Sequence, residues 1–502
     1  MEQDDQELLL RIMESITFGQ DAAENEDNLQ DVFVTGTEVY SRMVKDEIDV
    51  VTGCKGSGKS AIYRMITETS IADDLHVLAA VNPTGSPVFR HLFTEHSTEA
   101  RVRGVWAAYI TSLVGNWVVE EYADIPTVTD SVNEIAEFLV LLSLRRPPLE
   151  RESLLRRISE ARSAEAPGRA AGTSTAGLSF DLTDSPVMSA VVLEPQDFFL
   201  VIQKCADILR TLGTRLWIAF DRLDECFDRV SGNESIALRA LLRTHLDLAQ
   251  ALKYSRTIRA KIFLRSDLLS RMSRDAAFTN STHIRQADLR WNSPAIAQLI
   301  AVRAAQSELF SNTYLTGSTK DVVADTWRAL LPDLSKPARD GRGARTSPHR
   351  VCVRTADGSS NFSPRNVISL LNLAMARARD NQRRAIELRR AGRGFTPLIQ
   401  EGELHSAEGD LSRKRLQDSV LNEFPIAAKY VPALEGGPAR FDSTPALMRA
   451  IGAEPPDRDS ADLIADELAF SGVISRERSG WSIPLLYRAA LRPYMKTARG
   501  RT

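Results

Sequence analysis

Four short apolar and β-branched runs, at 48–52, 76–81, 216–220 and 261–264, alternate with longer stretches whose apolar positions recur at helical spacing, at 60–69, 101–120, 195–212 and 234–252. This alternation predicts an α/β domain with a mainly parallel sheet. Two stretches interrupt it. Residues 161–187 are small, polar and rich in Gly, Ser and Thr, the composition of a flexible insertion. Residues 332–364 are rich in Pro, Gly, Ser and Arg and predict a mobile connection near a functional surface. From about 411 the pattern changes again: 411–427 and 459–470 read as helices, Gly472 opens an alternating stretch over 473–476, and a turn at Ser479-Gly480 leads into 481–485. Helices followed by a small hairpin outline a winged helix-turn-helix with 472–484 as the wing, although a small α+β lid would share that outline. No repeat of solenoid period is present.

The chain has 502 residues, 43% hydrophobic and 26% charged. That balance excludes a fully disordered chain, a collagen-like fibre and a pure coiled coil, and the length predicts several domains. The expected division is an acidic N-terminal arm (1–30), a core (31–310) carrying the insertion near 161–187, a helical lid with an Arg-rich segment (311–410), and a winged-helix-like domain (411–502). The longest nearly apolar run, 138–144, is far short of the roughly 20 residues that span a bilayer, and the opening MEQDDQE is acidic where a secretory signal is basic. Cys54, Cys205, Cys226 and Cys352 form no C-x-x-C pair, and the seven histidines show no metal-binding spacing. A soluble cytoplasmic protein with reduced thiols, no membrane partner and no structural metal is expected.

Net charge is −3, but charge is segregated. Residues 1–50 hold fourteen acids and three bases, whereas 339–393 hold thirteen arginines and four acids. Near-neutrality argues against a uniformly basic protein and leaves room for a local nucleic-acid surface.

The strongest chemical signal is Gly53-Cys54-Lys55-Gly56-Ser57-Gly58-Lys59-Ser60, which matches G-x-x-x-x-G-K-[ST], follows a strand-like run and opens a helix at Ala61. Glycines let the backbone wrap phosphate oxygens and aim its N–H groups inward, and the helix N-terminus adds its dipole. Lys59 can reach the β- and γ-phosphates, and the Ser60 hydroxyl can ligate Mg²⁺. The cofactor-binding set is therefore Gly53, Lys55, Gly56, Ser57, Gly58, Lys59, Ser60 and Ala61. A matching carboxylate ends the apolar run 216–220: Asp221 is the candidate Mg²⁺ ligand. A second acid should orient and deprotonate the attacking water. The next position is Arg222, so Asp224 and Glu225 remain, with Glu225 preferred. An exposed acidic helix start would show the same residues. Arg265, ending 261–264, either senses the γ-phosphate or pairs with Asp221 or Asp224. Arg365, in Ser363-Pro364-Arg365-Asn366 at the start of a lid helix, could reach the phosphates and couple lid position to nucleotide state.

Taken together, GCKGSGKSA, FDRLDE, FLRSDL, the segment Leu289-Arg290-Trp291-Asn292-Ser293-Pro294 and SPRN resemble the AAA+/STAND-type branch of P-loop ATPases. More narrowly, they are similar to a family of bacterial P-loop ATPases with a DRLDE-type Walker B, akin to origin-recognition-type initiators. The resemblance implies a parallel sheet of order 5-1-4-3-2, a helical lid with its sensor at Arg365, a C-terminal winged helix, and ATP with Mg²⁺ as ligands. Arg222 departs from the family's second acid, and Arg274 and Arg285, flanking an expected strand at 282–285, are the candidate trans-acting arginines. The expected function is an ATP-hydrolysing switch or motor, a homo-oligomer acting on DNA or other nucleic acid through 339–393 and the tail residues Arg488, Arg492, Lys496, Arg499 and Arg501. The alternative is a STAND-like signalling or scaffold ATPase with slow hydrolysis that assembles with an effector protein, as in phage defence.

Overall fold

The computed structural model describes residues 3–34, 38–81, 98–142, 144–145, 195–223, 233–266, 268–269, 284–315, 321–332, 347–358, 362–390, 393–455 and 457–492. The expected insertion at 161–187 lies outside them. In chain order the main elements begin with α1 (Gln3–Ser15), β1 (Val50–Gly53), α2 (Lys59–Glu68), β2 (Leu75–Val81), α3 (Glu99–Tyr122), α4 (Thr129–Leu141) and α5 (Pro195–Leu212). Next come β3 (Arg215–Asp221), α6 (Asn233–Ala251), β4 (Ile258–Arg265), β5 (Gln286–Asp288), α7 (Ser293–Ala305), α8 (Ser347–Thr355), α9 (Pro364–Glu387) and α10 (Glu401–Arg415). The chain closes with α11 (Pro425–Tyr430), β6 (Arg440–Phe441), α12 (Thr444–Ile451), α13 (Arg458–Phe470), β7 (Ser475–Glu477), β8 (Gly480–Ser482) and α14 (Leu485–Leu491). Two compact units emerge: one from Met1–Ser41, Gly53–Ala61 and Asp288–Thr502, the other from Arg42–Thr52 and Ile62–Ala287. Each has its own hydrophobic core. Among the described residues, no helix is long and apolar enough to cross a membrane.

The sheet of the second unit has the order β2-β3-β4-β1-β5, which is 5-1-4-3-2 read from the other edge, as expected. β2 pairs with β3 and β3 with β4 in parallel, Phe220 opposite Ile262. β3 is an apolar run because both faces of the sheet are covered; Trp217, Ile218 and Phe220 are fully buried, and all of β4 is buried too although it carries Arg259 and Lys261. α3 is apolar around most of its circumference, so it sits inside the unit, with Trp106 Nε1 donating to Ala237 O of α6 at 2.9 Å and its ring edge-on to Phe220. Of the expected strand at 282–285, residues 282 and 283 lie outside the described residues, and the strand next to it is β5 at Gln286–Asp288.

One polar cluster is embedded in this apolar unit. Lys261 of β4 is fully buried, and its Nζ donates to Asp46 Oδ1 (2.6 Å), Asp49 Oδ1 (3.0 Å) and Ile48 O (2.8 Å) while lying 4.4 Å from the Trp217 ring centroid. Arg285 completes it, donating Nε and Nη2 to the two Asp49 oxygens at 2.7 Å each. Arg285, a candidate trans-acting finger from sequence, therefore has an intramolecular role, and Arg274 lies outside the described residues. Burial alone would raise the Asp49 carboxyl, but the Arg285 hydrogen bond and the Lys261 charge hold it at about 2. His245 of α6 lies 3.7 Å from Asp49; burial outweighs that attraction, and the Lys261, Arg259 and Arg285 charges add to it, holding the imidazole at about 4.

A depressed imidazole is neutral in the fold yet protonates in the unfolded chain near pH 6.5, so the stability it contributes is present above that pH and is lost as pH falls through about 4. The unit should lose about 3 kcal/mol across that window. The Asp49 contribution should follow, lost from about pH 4 down to 2. In chemical denaturation at stepped pH, His245→Gln should flatten the upper segment; an unchanged slope in that variant would assign it to other groups.

In the first unit, α9 packs against α10 and α1. Here the two charge-segregated segments meet. Arg379 Nε and Nη2 donate to Met13 O (2.8 Å) and Ile16 O (2.7 Å), capping the carboxyl end of α1. Arg383 pairs with Glu14 at 2.6 Å, Arg354 with Glu408, Arg377 with Asp410, and Arg393 with Glu403 at 2.7 Å. Much of the Arg-rich segment is thus used inside the unit, while Arg384, Arg389 and Arg390 at the end of α9 stay exposed.

Toward the C-terminus the order is helix (α11), strand (β6), two helices (α12, α13) and hairpin (β7, β8), with β6-β8-β7 forming a small antiparallel sheet. Helices followed by a hairpin is the element order expected there, and the sheet gains a two-residue strand too short to show in the sequence pattern. Ser443 and Asp457 cap α12 and α13, accepting from Ala446 N (3.4 Å) and Ser460 N (2.7 Å). The outward face of α13 carries Asp459, Asp462, Asp466 and Leu463, the last 61% exposed.

Candidate nucleotide-binding site

β1 runs into the 53–60 loop, and α2 begins at Lys59, the strand–loop–helix context the motif requires. Two positions in the loop need glycine. Gly56 has φ +78° and Gly58 φ +95°, left-handed values that cost a side-chain-bearing residue about 1–3 kcal/mol. At Gly56 there is also no room: a Cβ would stand 2.9 Å from Arg365 Cβ and from Ser363 Oγ.

Within the first unit, four side chains hold the loop in shape. Lys59 Nζ donates back to Gly53 O (2.8 Å) and Cys54 O (2.9 Å), so its ammonium closes over the loop. Trp291 Nε1 donates to Ser57 O at 2.7 Å and Ser363 Oγ to Gly56 O at 3.2 Å. Lys55 pairs with Glu423, between α10 and α11. The Ser57 hydroxyl is buried with no hydrogen-bond partner. An orphaned donor beside inward-turned glycines and a lysine ammonium fits a phosphate group. Cys54 is no nucleophile here: burial, with Asp357 adding to it, pushes its thiol up to about 12.

Arg365, at the start of α9, meets the loop at Gly56, and its Nε donates to Asp21 O at 2.8 Å. The Asp21 carboxylate accepts from Lys414 Nζ (2.8 Å) and Ser369 Oγ (2.5 Å), and Arg415 Nη2 donates to that same serine at 2.7 Å. Burial would raise the Asp21 carboxyl, but the Lys414 and Ser369 hydrogen bonds hold it below its usual value. The result is a basic group of Arg365, Lys414 and Arg415 around one carboxylate beside the phosphate loop.

In the second unit, Asp221 and Arg265 end the neighbouring strands β3 and β4, each nearly buried. Arg222 follows at φ +55°, so the chain turns sharply directly after the Asp221 carboxylate. Ser60 and Ala61 stand in the first turn of α2. Asp224 and Glu225, the candidate bases, lie outside the described residues, as do Cys226 and the tail residues Lys496, Arg499 and Arg501. Arg488 donates to Ile483 O at 2.9 Å.

Sequence reasoning gave Trp291 and Ser363 no role, although both fall in segments it singled out. It missed Asp21 and Glu423 altogether, and only their distant partners identify them.

No protein-family model matches the chain, and no curated protein sequence does. Among solved structures it is similar to a Walker-type ATPase of Pyrococcus abyssi, 11% identical, covering 91% of this chain and 95% of that one with a TM-score of 0.38. It is also similar to Cdc6p from Pyrobaculum aerophilum, 10% identical, covering 90% and 91% with a TM-score of 0.29.

Proposed function

We propose that the protein is an ATP-binding and ATP-hydrolysing switch in which nucleotide occupancy sets the arrangement of the lid and C-terminal subdomain. The observation that carries this reading is the loop itself: two left-handed glycines, an orphaned Ser57 hydroxyl and the Lys59 ammonium in a strand–loop–helix, with Arg365 of the lid packed on Gly56. Bound Mg²⁺·ATP would supply a polarised γ-phosphoryl group. The loop amides and Lys59 would hold its phosphates, Ser60 and Asp221 its metal. Glu225, with Asp224 as the alternative, would orient and deprotonate the attacking water. Arg365 and Arg265 would respond to the γ-phosphate.

A protein partner is favoured over duplex DNA by one specific observation. α13, the helix a DNA-reading winged helix would lay in the major groove, carries Asp459, Asp462, Asp466 and Glu467 against one basic residue, Arg458, and such a face is repelled by phosphates. Beside it lies a cleft of about 740 Å³ lined by Met448 and Trp481 and by charges of both signs, Arg449, Arg476 and Arg478 with Asp457, Asp462 and Glu477, a mixed surface suited to a protein segment. This supports the scaffold-type reading of the switch. Turnover should be measured with and without duplex DNA at about 50 mM salt, alongside mass in ATP and in ADP. DNA-independent turnover with an ATP-dependent change in mass is expected. DNA-stimulated turnover with a retarded complex would restore the nucleic-acid reading, and no turnover under any condition would remove the hydrolytic one.

A further inference from the structure

Lys55 is part of the phosphate loop, and its side chain is paired with Glu423. Glu423 belongs to the segment joining the lid side of the unit to the winged-helix-like subdomain, just after α10 and the π-helical turn Leu416–Leu421 and just before α11. Its side chain is largely buried, at 12% exposure, so its charge is poorly screened by solvent. We infer that Glu423 is an electrostatic latch on the nucleotide site: its carboxylate, held on Lys55, opposes polyphosphate binding, and a bound nucleotide drives the latch open. The inference rests on reading the loop as the nucleotide site.

Two effects act in one direction. The ion pair neutralises a loop cation that would otherwise add to the potential at the glycine cradle. It also fixes a carboxylate against a loop that must accept several negative charges, a like-charge juxtaposition that disfavours binding. Linkage makes the relation reciprocal: whatever factor the latch takes from nucleotide affinity, nucleotide takes from the stability of the latch. The latch also has somewhere to transmit. N-terminal to it, at the end of α10, Lys414 bonds the Asp21 carboxylate and Arg415 bonds Ser369, which itself donates to Asp21, and the Asp21 carbonyl accepts from Arg365, the residue packed on Gly56. A shift of the 416–424 segment therefore bears on the lid arginine and on the subdomain that begins at α11.

The test uses Glu423→Gln, which removes the charge and keeps the shape. Titration with a fluorescent ATP analogue should show affinity rising roughly five- to tenfold, the scale for removing one poorly screened like charge beside a polyanion site. In a Lys55→Met background the same substitution should add little, the signature of a coupled pair. Without nucleotide, Glu423→Gln should raise amide hydrogen exchange across 416–430, and ATP added to the unaltered protein should do the same. Unchanged affinity in Glu423→Gln, or unchanged exchange, would overturn the latch. If the unaltered protein binds the analogue and the variant binds it equally, the latch alone fails; if the unaltered protein binds none, the nucleotide reading itself fails.

Discussion

Lys59→Ala should lower nucleotide affinity at least about a hundredfold while leaving the protein folded. The expected loss follows from what the ammonium does in a phosphate site. Charge-assisted hydrogen bonds to anions contribute about 1.5–3 kcal/mol each, and two such contacts amount to two or more orders of magnitude. The folded chain gives up less. Lys59 Nζ donates to the carbonyls of Gly53 and Cys54, both in the same loop, and its side chain is in neither apolar core. Thermal unfolding should therefore move by a few degrees at most. Asp221→Asn provides the contrast: if the carboxylate serves the metal, it should spare binding of metal-free nucleotide and abolish Mg²⁺-dependent turnover. Calorimetric titration of both variants, with unfolding curves alongside, checks the pair. Undiminished binding in Lys59→Ala would refute the assignment of the loop.

What the sequence made visible and what it hid divide along physical lines. The loop could be read because its chemistry is local: glycines at fixed offsets, a lysine and a serine at the mouth of a helix. β3 could be read because a strand buried on both faces leaves a nearly unbroken apolar run, and β4 because residues 262–264 stay apolar beside the buried Lys261. The charge pattern was visible without its meaning. Thirteen arginines in 339–393 suggested a nucleic-acid surface, yet Arg383 finds Glu14 across 369 positions and Arg379 caps α1 across 363. Several of these arginines are tied to the acidic arm or to the acids of α10 (Arg354 to Glu408, Arg377 to Asp410, Arg393 to Glu403), relations that local pattern cannot express. Glu423 was hidden for the same reason, since nothing near it in sequence marks it as a neighbour of Lys55. The acidity of α13, by contrast, stood in plain view. It acquired meaning only once burial showed that Asp459, Asp462 and Asp466 share the helix's outward face.

Lys261→Met should destabilise the second unit by about 3–5 kcal/mol, the scale for removing one partner of a buried ion cluster. Lys261 is fully buried on β4, and the carboxylates of Asp46 and Asp49 are almost as inaccessible. Methionine fills the aliphatic volume but leaves two buried negative charges facing each other, with Arg285, one-third exposed, as their nearest remaining cation. The Asp49 carboxyl, no longer helped by Lys261, should rise from about 2, so acid unfolding should begin at higher pH than in the unaltered protein. The triple variant Asp46→Asn, Asp49→Asn, Lys261→Met should recover most of the loss, because a cluster removed whole leaves no uncompensated charge. Chemical denaturation of the single and triple variants measures both terms. If the triple variant were no more stable than Lys261→Met alone, the cluster would matter for the shape of its hydrogen bonds to Ile48 O and the β1 entry rather than for its charges.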